Sequence, residues 1–142
     1  MTKTDFSNYR ALVLEVRQLQ ALLAELEAAK FSVQGSEFSG VPREAPSEGS
    51  AVERKVIRYL DTLALYREKI EAKTARLIAI ESALDSLESP MERLIMRLRY
   101  VEGRSWASVC CELEPLGYSD RQVYRLHGFA LMKLKEASEN DS

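Results

Sequence analysis

The feature that most constrains this chain is an apolar repeat that runs through residues 51–87. Apolar side chains recur there in steps of three and four residues over about five heptads, and only Lys73 among them is polar. The members are Val52, Val56, Tyr59, Leu63, Tyr66, Ile70, Lys73, Leu77, Ile80, Leu84 and Leu87. This spacing lines one face of a long helix, and its length predicts a coiled coil or an antiparallel helical hairpin.

A second repeat of the same kind occupies residues 5–30. Its apolar members are Tyr9, Leu12, Val16, Leu19, Leu23 and Leu26. Between the repeats, residues 31–50 contain three glycines, two prolines and five serines, a composition that predicts a linker across which the first helix folds back. Because two striped helices alone make a thin core, we expect residues 1–88 to mediate homo-oligomerisation, with a dimer favoured. The alternative is a hairpin that stiffens a monomer.

Start and stop signals divide the last third of the chain into three helices. The start signals are helix-capping serines, and the stop signals are glycine or proline. In chain order they are Ser89-Pro90, Gly103, Ser105, Pro115, Gly117 and Ser119. This order of a helix, a short helix, a turn and a capped helix predicts a helix-turn-helix domain over residues 89–136. Residues 137–142 are predicted to form a disordered tail. The predicted fold class is therefore all-α, with a long N-terminal helical hairpin or coiled coil before this small domain.

The final helix of this domain is amphipathic. Its apolar face consists of Val123, Leu126, Ala130, Leu131 and Leu134. The opposite face carries Arg121, Arg125, Gly128 and Met132, with Gln122 and Tyr124 at its edges. Arginine pairs with guanine, glutamine with adenine, and tyrosine with phosphate, so the first two turns of this helix can contact DNA. On these residues alone, the alternative is a helix with a solvated polar face.

The run SPMERLIMRLRYVEGRSWASV, followed by YSDRQVYRLHGFALMKL, resembles region 4 of bacterial sigma factors. In that family, RY-x-x-G at a helix end precedes a short helix and a recognition helix that ends in AL-x-KL. The matching residues are Arg99, Tyr100, Gly103, Ala130, Leu131, Lys133 and Leu134. The resemblance covers the last third of the chain, and residues 109–119 depart from it by being longer than the family's turn, with Glu114-Pro115-Leu116 as the insertion.

The arrangement of the whole chain is similar to small phage and prophage regulators of the RinA and ArpU type, many of which are late-gene activators. The resemblance implies a sequence-specific transcriptional regulator that binds double-stranded DNA. A further hypothesis is that the N-terminal hairpin contacts RNA polymerase or another phage protein. The family's recognition-helix contacts fall on Asp120, Arg121, Gln122, Tyr124 and Arg125. We add Ser119, Arg104 and Ser105 to the residues expected at DNA. The carboxylate of Asp120 also suits the N-terminus of the helix.

Charge is unevenly distributed along the chain. The formal net charge is −2, but residues 89–135 contain eight basic and five acidic side chains, which gives this segment a net charge of +3. Affinity for DNA that does not depend on sequence rises with the number of phosphates neutralised. A modest positive segment therefore indicates weak or assisted DNA binding and argues against a protein that coats DNA.

Several other classes of protein are disfavoured. No stretch is apolar enough to span a membrane and no signal-peptide pattern is present, so we expect a cytoplasmic protein without a membrane partner. Cys110 and Cys111 are adjacent, which disfavours a disulfide, and with one histidine a metal site is not expected. Without a Gly-rich phosphate loop or a nucleophile–base pattern, we expect neither a cofactor nor enzymatic activity.

Three further residues of the C-terminal domain have specific expectations. His127 is expected to be packed or to face phosphate rather than to act in catalysis. Trp106 is expected to be the apolar anchor of the domain. Gly128, in mid-helix, costs about 1 kcal/mol relative to alanine, which predicts close approach by DNA backbone or by a packed neighbour.

Two alternative functions remain open from the sequence. A DNA-packaging protein of the terminase small-subunit type also joins a helix-turn-helix to helical oligomerisation segments. An adaptor that binds RNA polymerase or a sigma factor would use the sigma-like domain to contact protein without reading DNA. The AL-x-KL ending favours the regulator.

Overall fold

The computed structural model describes residues 1–37 and 46–141, with side chains for residues 1–29 and 51–140. Throughout these ranges the regular secondary structure is helical, which confirms the all-α prediction. The α-helices are α1 (Lys3–Ser7), α2 (Tyr9–Glu37), α3 (Pro46–Asp85), α4 (Pro90–Met96), α5 (Trp106–Leu113) and α6 (Asp120–Asp141). A π-helical turn, Arg97–Val101, follows α4, and a 3-10 turn, Glu114–Leu116, follows α5.

The predicted linker over residues 31–50 is wrong at both of its ends. Helix α2 continues to Glu37 and α3 begins at Pro46, while residues 38–45 lie outside the described ones. Extending an existing helix requires no new nucleation, and an interior glycine costs only about 1 kcal/mol, so α2 passes through Gly35. Pro46 occupies the start of α3, where its missing N–H costs no hydrogen bond.

The predicted disordered tail over residues 137–142 is also wrong. Helix α6 continues to Asp141, and only Ser142 of this segment lies outside the described residues. Glu136 and Ala137 are good helix formers, so the helix propagates past the last apolar contact at Leu134.

The chain divides into two compact units, and α2 and α3 each contribute to both of them. The first unit comprises Met1–Leu14 and Ala75–Ser142, and the second comprises Glu15–Thr74. The boundary predicted at residue 88 falls inside the first unit.

The second unit consists of the two long helices. Val16 and Leu63 are its buried apolar residues among the described side chains, and both belong to the predicted repeats. Lys73 Nζ lies 2.7 Å from Glu15 Oε2, and Arg67 Nη2 lies 3.2 Å from Glu27 Oε1. The partners occur in opposite order along α2 and α3, so the helices run antiparallel here. Exposed ion pairs of this kind contribute only about 0–1 kcal/mol each, so apolar contacts hold most of the unit together.

One member of the predicted apolar repeat departs from expectation. The Val56 side chain is 50 % exposed, whereas Leu63, two turns later, is 6 % exposed. The drift of a 3.6-residue helix over seven residues is only about 20°, so Val56 lies within the predicted stripe although it is exposed.

The first unit contains two clusters of buried side chains. The larger cluster joins α1, α2, α3, the segment from α4 through the π-helical turn, and α6. Its buried members are Phe6, Tyr9, Leu12, Ile80, Leu84, Leu87, Met96, Tyr100, Ala130 and Leu134. The smaller cluster joins the α4 segment to α5 and α6 through Ile95, Leu98, Val109, Cys110, Leu113 and Val123. Both clusters therefore include residues of α6.

An internal ion pair also connects α4 to α6. The Glu92 side chain is almost completely buried, and Lys133 Nζ lies 2.9 Å and 3.1 Å from its two carboxylate oxygens. An unpaired carboxylate at this position would be costly, because burial removes the water that solvates its charge. The pair thus couples the first turn of α4 to the C-terminal half of α6.

Gly103 ends the π-helical turn as predicted, in the left-handed region with φ +71°. A Cβ atom at this position would lie 2.5 Å from Cδ of Arg10. The Arg10 guanidinium donates hydrogen bonds to the carbonyl oxygens of Val101 and Glu102, over 3.2 Å and 2.7 Å. The glycine therefore allows Arg10 to bind the exposed end of this segment.

We expect Gly103→Ala to lower the free energy of unfolding by about 2 kcal/mol, because a left-handed non-glycine residue costs about 1–2 kcal/mol and Arg10 must also move. Urea denaturation followed by circular dichroism measures the change. The matched control is Gly128→Ala, which lies in a helix with no neighbour within 4 Å of the added Cβ. That variant should be more stable by about 1 kcal/mol. Destabilisation of equal size in both variants would contradict this explanation.

Candidate nucleic-acid interface

The N-terminus of α6 is closed by a reciprocal pair of hydrogen bonds. The Gln122 N–H donates to Ser119 Oγ over 3.3 Å, and the Ser119 N–H donates to Gln122 Oε1 over 2.8 Å. This is the capping box predicted from the sequence. The box uses the side-chain carbonyl of Gln122, so its NH2 group is the part that remains for a ligand.

The two faces of α6 differ sharply in exposure. Val123, His127, Ala130 and Leu134 are buried, which leaves the predicted polar face outside. The exposed residues of that face are Arg121, Gln122, Arg125, Gly128 and Met132. The predicted amphipathic pattern is confirmed, with His127 added to its buried side. Burial at intervals of three and four residues fixes the rotation of the helix about its own axis.

Arg121 and Arg125 are the two arginines of this exposed face. The Arg121 guanidinium forms no hydrogen bond or ion pair with the described residues. Cζ of Arg125 lies 5.6 Å from the centre of the Phe129 ring, a cation–π contact with the next turn of the helix. This contact orients the guanidinium without neutralising its charge. Both positive charges are therefore available to an anionic partner.

Tyr124 packs against Trp106 of α5. Its ring centre lies 5.1 Å from that of Trp106, and the Tyr124 side chain is 49 % exposed. Cζ of Arg99 lies 4.9 Å from the Trp106 ring centre, and Arg99 Nη1 donates to the Arg104 carbonyl over 2.9 Å. Trp106 thus links the π-helical turn, α5 and α6, as expected of an anchor, although its side chain is only partly buried.

Asp120 lies in the first turn of α6, where it affects the pKa of a cysteine of α5. Burial raises the pKa of the Cys110 thiol, and the nearby Asp120 carboxylate raises it further, whereas the Tyr124 hydroxyl lowers it. Cys110 is therefore held as a neutral thiol in the smaller cluster. The Asp120 carboxylate also has the sign that the positive end of a helix favours, so its structural role agrees with the expectation for the helix N-terminus.

Arg104 and Ser105, which were also predicted at DNA, have partners within the chain. The Arg104 guanidinium lies 3.0 Å from a carboxylate oxygen of Glu112 and 3.6 Å from one of Glu102. The Ser105 hydroxyl accepts a hydrogen bond from the Ser108 N–H over 3.2 Å and so caps α5. Two carboxylates balance the charge of Arg104, which leaves less of it for a phosphate than Arg121 offers.

The buried histidine has a partner that sequence spacing did not indicate. His127 Nε2 lies 2.8 Å from the Tyr100 hydroxyl, and the His127 ring stands edge-on to Trp106 with ring centres 4.6 Å apart. Burial lowers the pKa of His127 to about 4, with Lys3 and Arg99 adding to the effect. Burial also raises the pKa of Tyr100. Both side chains are therefore neutral near pH 7, and the direction of the hydrogen bond between them is set by the tautomer of the imidazole.

This hydrogen bond connects the end of the π-helical turn to the middle of α6. Of the two expectations for His127, packing is confirmed, because the side chain is buried and its Nε2 is engaged within the chain. A tyrosine that lies 27 residues away in the sequence carries no local signal that would have identified it.

Gly128 interrupts the exposed face next to the arginines. A Cβ atom placed on it would have nothing within 4 Å. A packed neighbour within the described chain is therefore not the reason for this glycine. The other expectation, close approach by a DNA backbone, stays a prediction.

Most basic groups of the C-terminal segment are engaged within the chain. Arg97 pairs with Asp85 over 2.8 Å, Arg104 with Glu112, and Lys133 with Glu92. Arg93 donates to main-chain carbonyls at the end of α3. Within residues 89–135, the basic groups that form no hydrogen bond or ion pair with the described residues are Arg121, Arg125 and Lys135, and all three lie on α6.

The described residues were also compared with the requirements of a metal site, a membrane-spanning helix and a disulfide. They contain no group of three His, Cys, Asp or Glu side chains suitably placed for a metal ion. None of the described helices is both long and apolar enough to cross a membrane. Cys110 is buried and Cys111 exposed, and both are free thiols.

Comparison with protein-family models, with curated proteins and with solved structures finds no match for this chain. A functional assignment therefore rests on the geometry and chemistry of α6 and its surroundings.

The burial of His127 predicts a specific dependence of stability on pH. The folded pKa is about 4, below the ordinary value of 6.5, so the unfolded chain binds this proton more readily than the folded one. The stabilisation is complete above pH 6.5 and is lost as the pH falls towards 4. Between pH 7 and pH 5 we expect the free energy of unfolding to fall by about 2 kcal/mol, measured by urea denaturation.

His127→Gln is the matched control, because this residue is the only histidine in the chain. The variant should be less stable at pH 7 and should lose much less stability than the wild type between pH 7 and pH 5. Equal losses in the two proteins would show that other groups cause the dependence.

Proposed function

We propose that this protein is a sequence-specific, DNA-binding transcriptional regulator. In this proposal α5, the 3-10 turn and α6 form a helix-turn-helix, and α6 enters the major groove. The observation that carries the proposal is the pair of exposed guanidinium groups, Arg121 and Arg125, on the first two turns of α6. The capped start of α6 and its buried opposite face hold these two side chains on a rigid element.

The chemistry of this face suits DNA better than a general anionic surface. A guanidinium can donate two parallel hydrogen bonds to O6 and N7 of guanine, which no other base pair presents in the same way. The Gln122 NH2 group and the Tyr124 hydroxyl lie at the edges of the face and can donate to a base or a phosphate. The open space beside Gly128 allows a sugar-phosphate backbone to approach α6 closely.

The wider role follows from the resemblance of residues 89–135 to sigma region 4 and of the whole chain to phage and prophage regulators. We propose a late-gene activator that works in the cytoplasm, binds double-stranded DNA as a dimer and contacts RNA polymerase. Two copies of α6 would then contact two half-sites of the DNA. The dimer would therefore be more specific than one copy, whose positive surface is small.

The deciding experiment compares wild type with an Arg121→Ala/Arg125→Ala double variant in binding to DNA fragments from the protein's own genomic neighbourhood. We expect the double variant to raise the Kd for a specific fragment about 100-fold or more, since each lost arginine–base contact costs about 1–3 kcal/mol. Fluorescence anisotropy at two salt concentrations measures the affinity and its dependence on salt.

Arg17→Ala/Arg58→Ala is the matched control, because it removes the same charge from exposed arginines of the second unit. It should change the Kd less than about threefold. Equal loss in both double variants would indicate general electrostatic attraction. If no fragment binds above background, or the α6 variant binds as well as wild type, the adaptor function replaces the proposed one.

Gln122→Glu separates helix capping from contact with DNA. A glutamate at this position still supplies the side-chain oxygen acceptor that the capping box needs but loses the NH2 donor. We expect unchanged or slightly higher stability and a Kd for the specific fragment raised about 10-fold or more, partly because a negative charge then faces the phosphates. Unchanged affinity would place Gln122 outside the interface.

A further inference from the structure

Helix α3 carries an apolar surface on the second unit that the described part of the chain leaves uncovered. Val56, Ile57 and Leu60 are 50 %, 57 % and 51 % exposed, and Ala64 is also exposed. These four residues, the α3 patch, recur at intervals of one, three and four positions and form one stripe along the helix. Val56 lies almost in line with the buried Leu63, whereas Leu60, Ala64 and Ile57 lie about 60–120° around the helix from Leu63 and are exposed.

The second unit has little apolar core for its length. Among its described side chains only Val16 and Leu63 are buried hydrophobic residues, whereas each helix runs through several turns within the unit. Large apolar side chains that are half exposed in a row are uncommon on monomeric proteins and mark contact surfaces. The α3 patch therefore has the character of one side of an interface.

We propose that the α3 patch joins two copies of this chain, with their α3 helices antiparallel and crossing at Leu60. The proposal concerns only how two chains meet and does not depend on α6 binding DNA. In this arrangement Leu60 contacts its own counterpart, and Val56 of each chain faces Ala64 of the other. A large side chain opposite a small one allows the two helices to approach closely.

The charged side chains beside the α3 patch favour an antiparallel orientation of the two α3 helices. Glu53 lies seven residues before Leu60 and Arg67 seven residues after it, and both are exposed. When the helices are antiparallel, Glu53 of each chain lies opposite Arg67 of the other, which gives two symmetric ion pairs. A parallel pairing would place Glu53 opposite Glu53 and Arg67 opposite Arg67, so like charges would repel.

Arg67 can take part in this contact without giving up its partner within the chain. One of its nitrogens, Nη2, lies 3.2 Å from Glu27 Oε1, and a guanidinium has five N–H donors. The dimer would therefore be built from four helices, two from each chain, with the patch at its centre. Four packed helices bury far more apolar surface than a two-helix unit does alone.

The first test is sedimentation equilibrium of the full chain, without DNA, over a range of concentrations. Wild type should show a monomer–dimer equilibrium, and Leu60→Glu should raise its Kd at least about 10-fold, because the two-fold axis brings two new carboxylates together. Leu65→Glu is the control, since Leu65 is 46 % exposed on α3 but lies outside the patch. That variant should dimerise like the wild type.

A charge exchange tests the antiparallel orientation. Glu53→Arg and Arg67→Glu alone should each raise the Kd of the dimer about 5- to 10-fold, because each replaces two ion pairs by two repulsive contacts. The Glu53→Arg/Arg67→Glu double variant restores opposite charges and should return the Kd to within about twofold of the wild-type value. Because all these side chains are exposed, circular dichroism should show equal helix content in every variant.

Three results would overturn the proposal: a wild-type chain that stays monomeric, a dimer that Leu60→Glu leaves intact, or a double charge variant that remains as weak as the single ones. The test is independent of DNA binding. The Arg121→Ala/Arg125→Ala variant should dimerise normally. A failure of dimerisation would remove the proposed binding to two half-sites but would leave the contacts proposed between one α6 and DNA untouched.

Discussion

The burial of one face of α6 is the interaction on which the rest of the first unit depends. Val123 joins the smaller cluster with α4 and α5, while Ala130 and Leu134 join the larger cluster with α1, α2 and α3. Lys133, paired with the buried Glu92, and His127, bonded to Tyr100, add polar contacts between the apolar ones. A helix held at so many points cannot rotate about its axis, so its opposite face is fixed as well.

The positive charge of this outer face stands out because several other basic side chains of the C-terminal segment are paired with carboxylates. Counting residues gives the C-terminal segment a net positive charge, but Arg97, Arg104 and Lys133 lie against carboxylates of the same chain. Such pairs cancel most of the field that they would exert on a distant phosphate. Arg121 and Arg125 form no ion pair with the described acids, so their charge is not balanced in this way. The candidate interface is therefore narrow, and it favours specific contacts over broad attraction.

Local signals in the sequence were sufficient wherever a structural feature depends on neighbouring residues. Ser119 with Gln122, and Ser89 with Pro90, marked helix starts because a cap is completed within three residues. Local composition was misleading over residues 31–50. It predicted a linker there, but α2 and α3 extend into the two ends of this segment. It also gave no indication of the π-helical turn before Gly103, whose last carbonyl accepts a hydrogen bond from Arg10, 91 residues earlier in the chain.

The sequence alone thus determined the helical class, the positions of the caps and the division of α6 into an apolar and a polar face, because each follows from periodicity and from contacts a few residues long. The tertiary structure decided which polar side chains of the C-terminal segment remain available. Arg97 is paired with Asp85, Lys133 is paired with Glu92, and His127 is hydrogen-bonded to Tyr100. These outcomes depend on distances between residues far apart in the chain, which only packing sets.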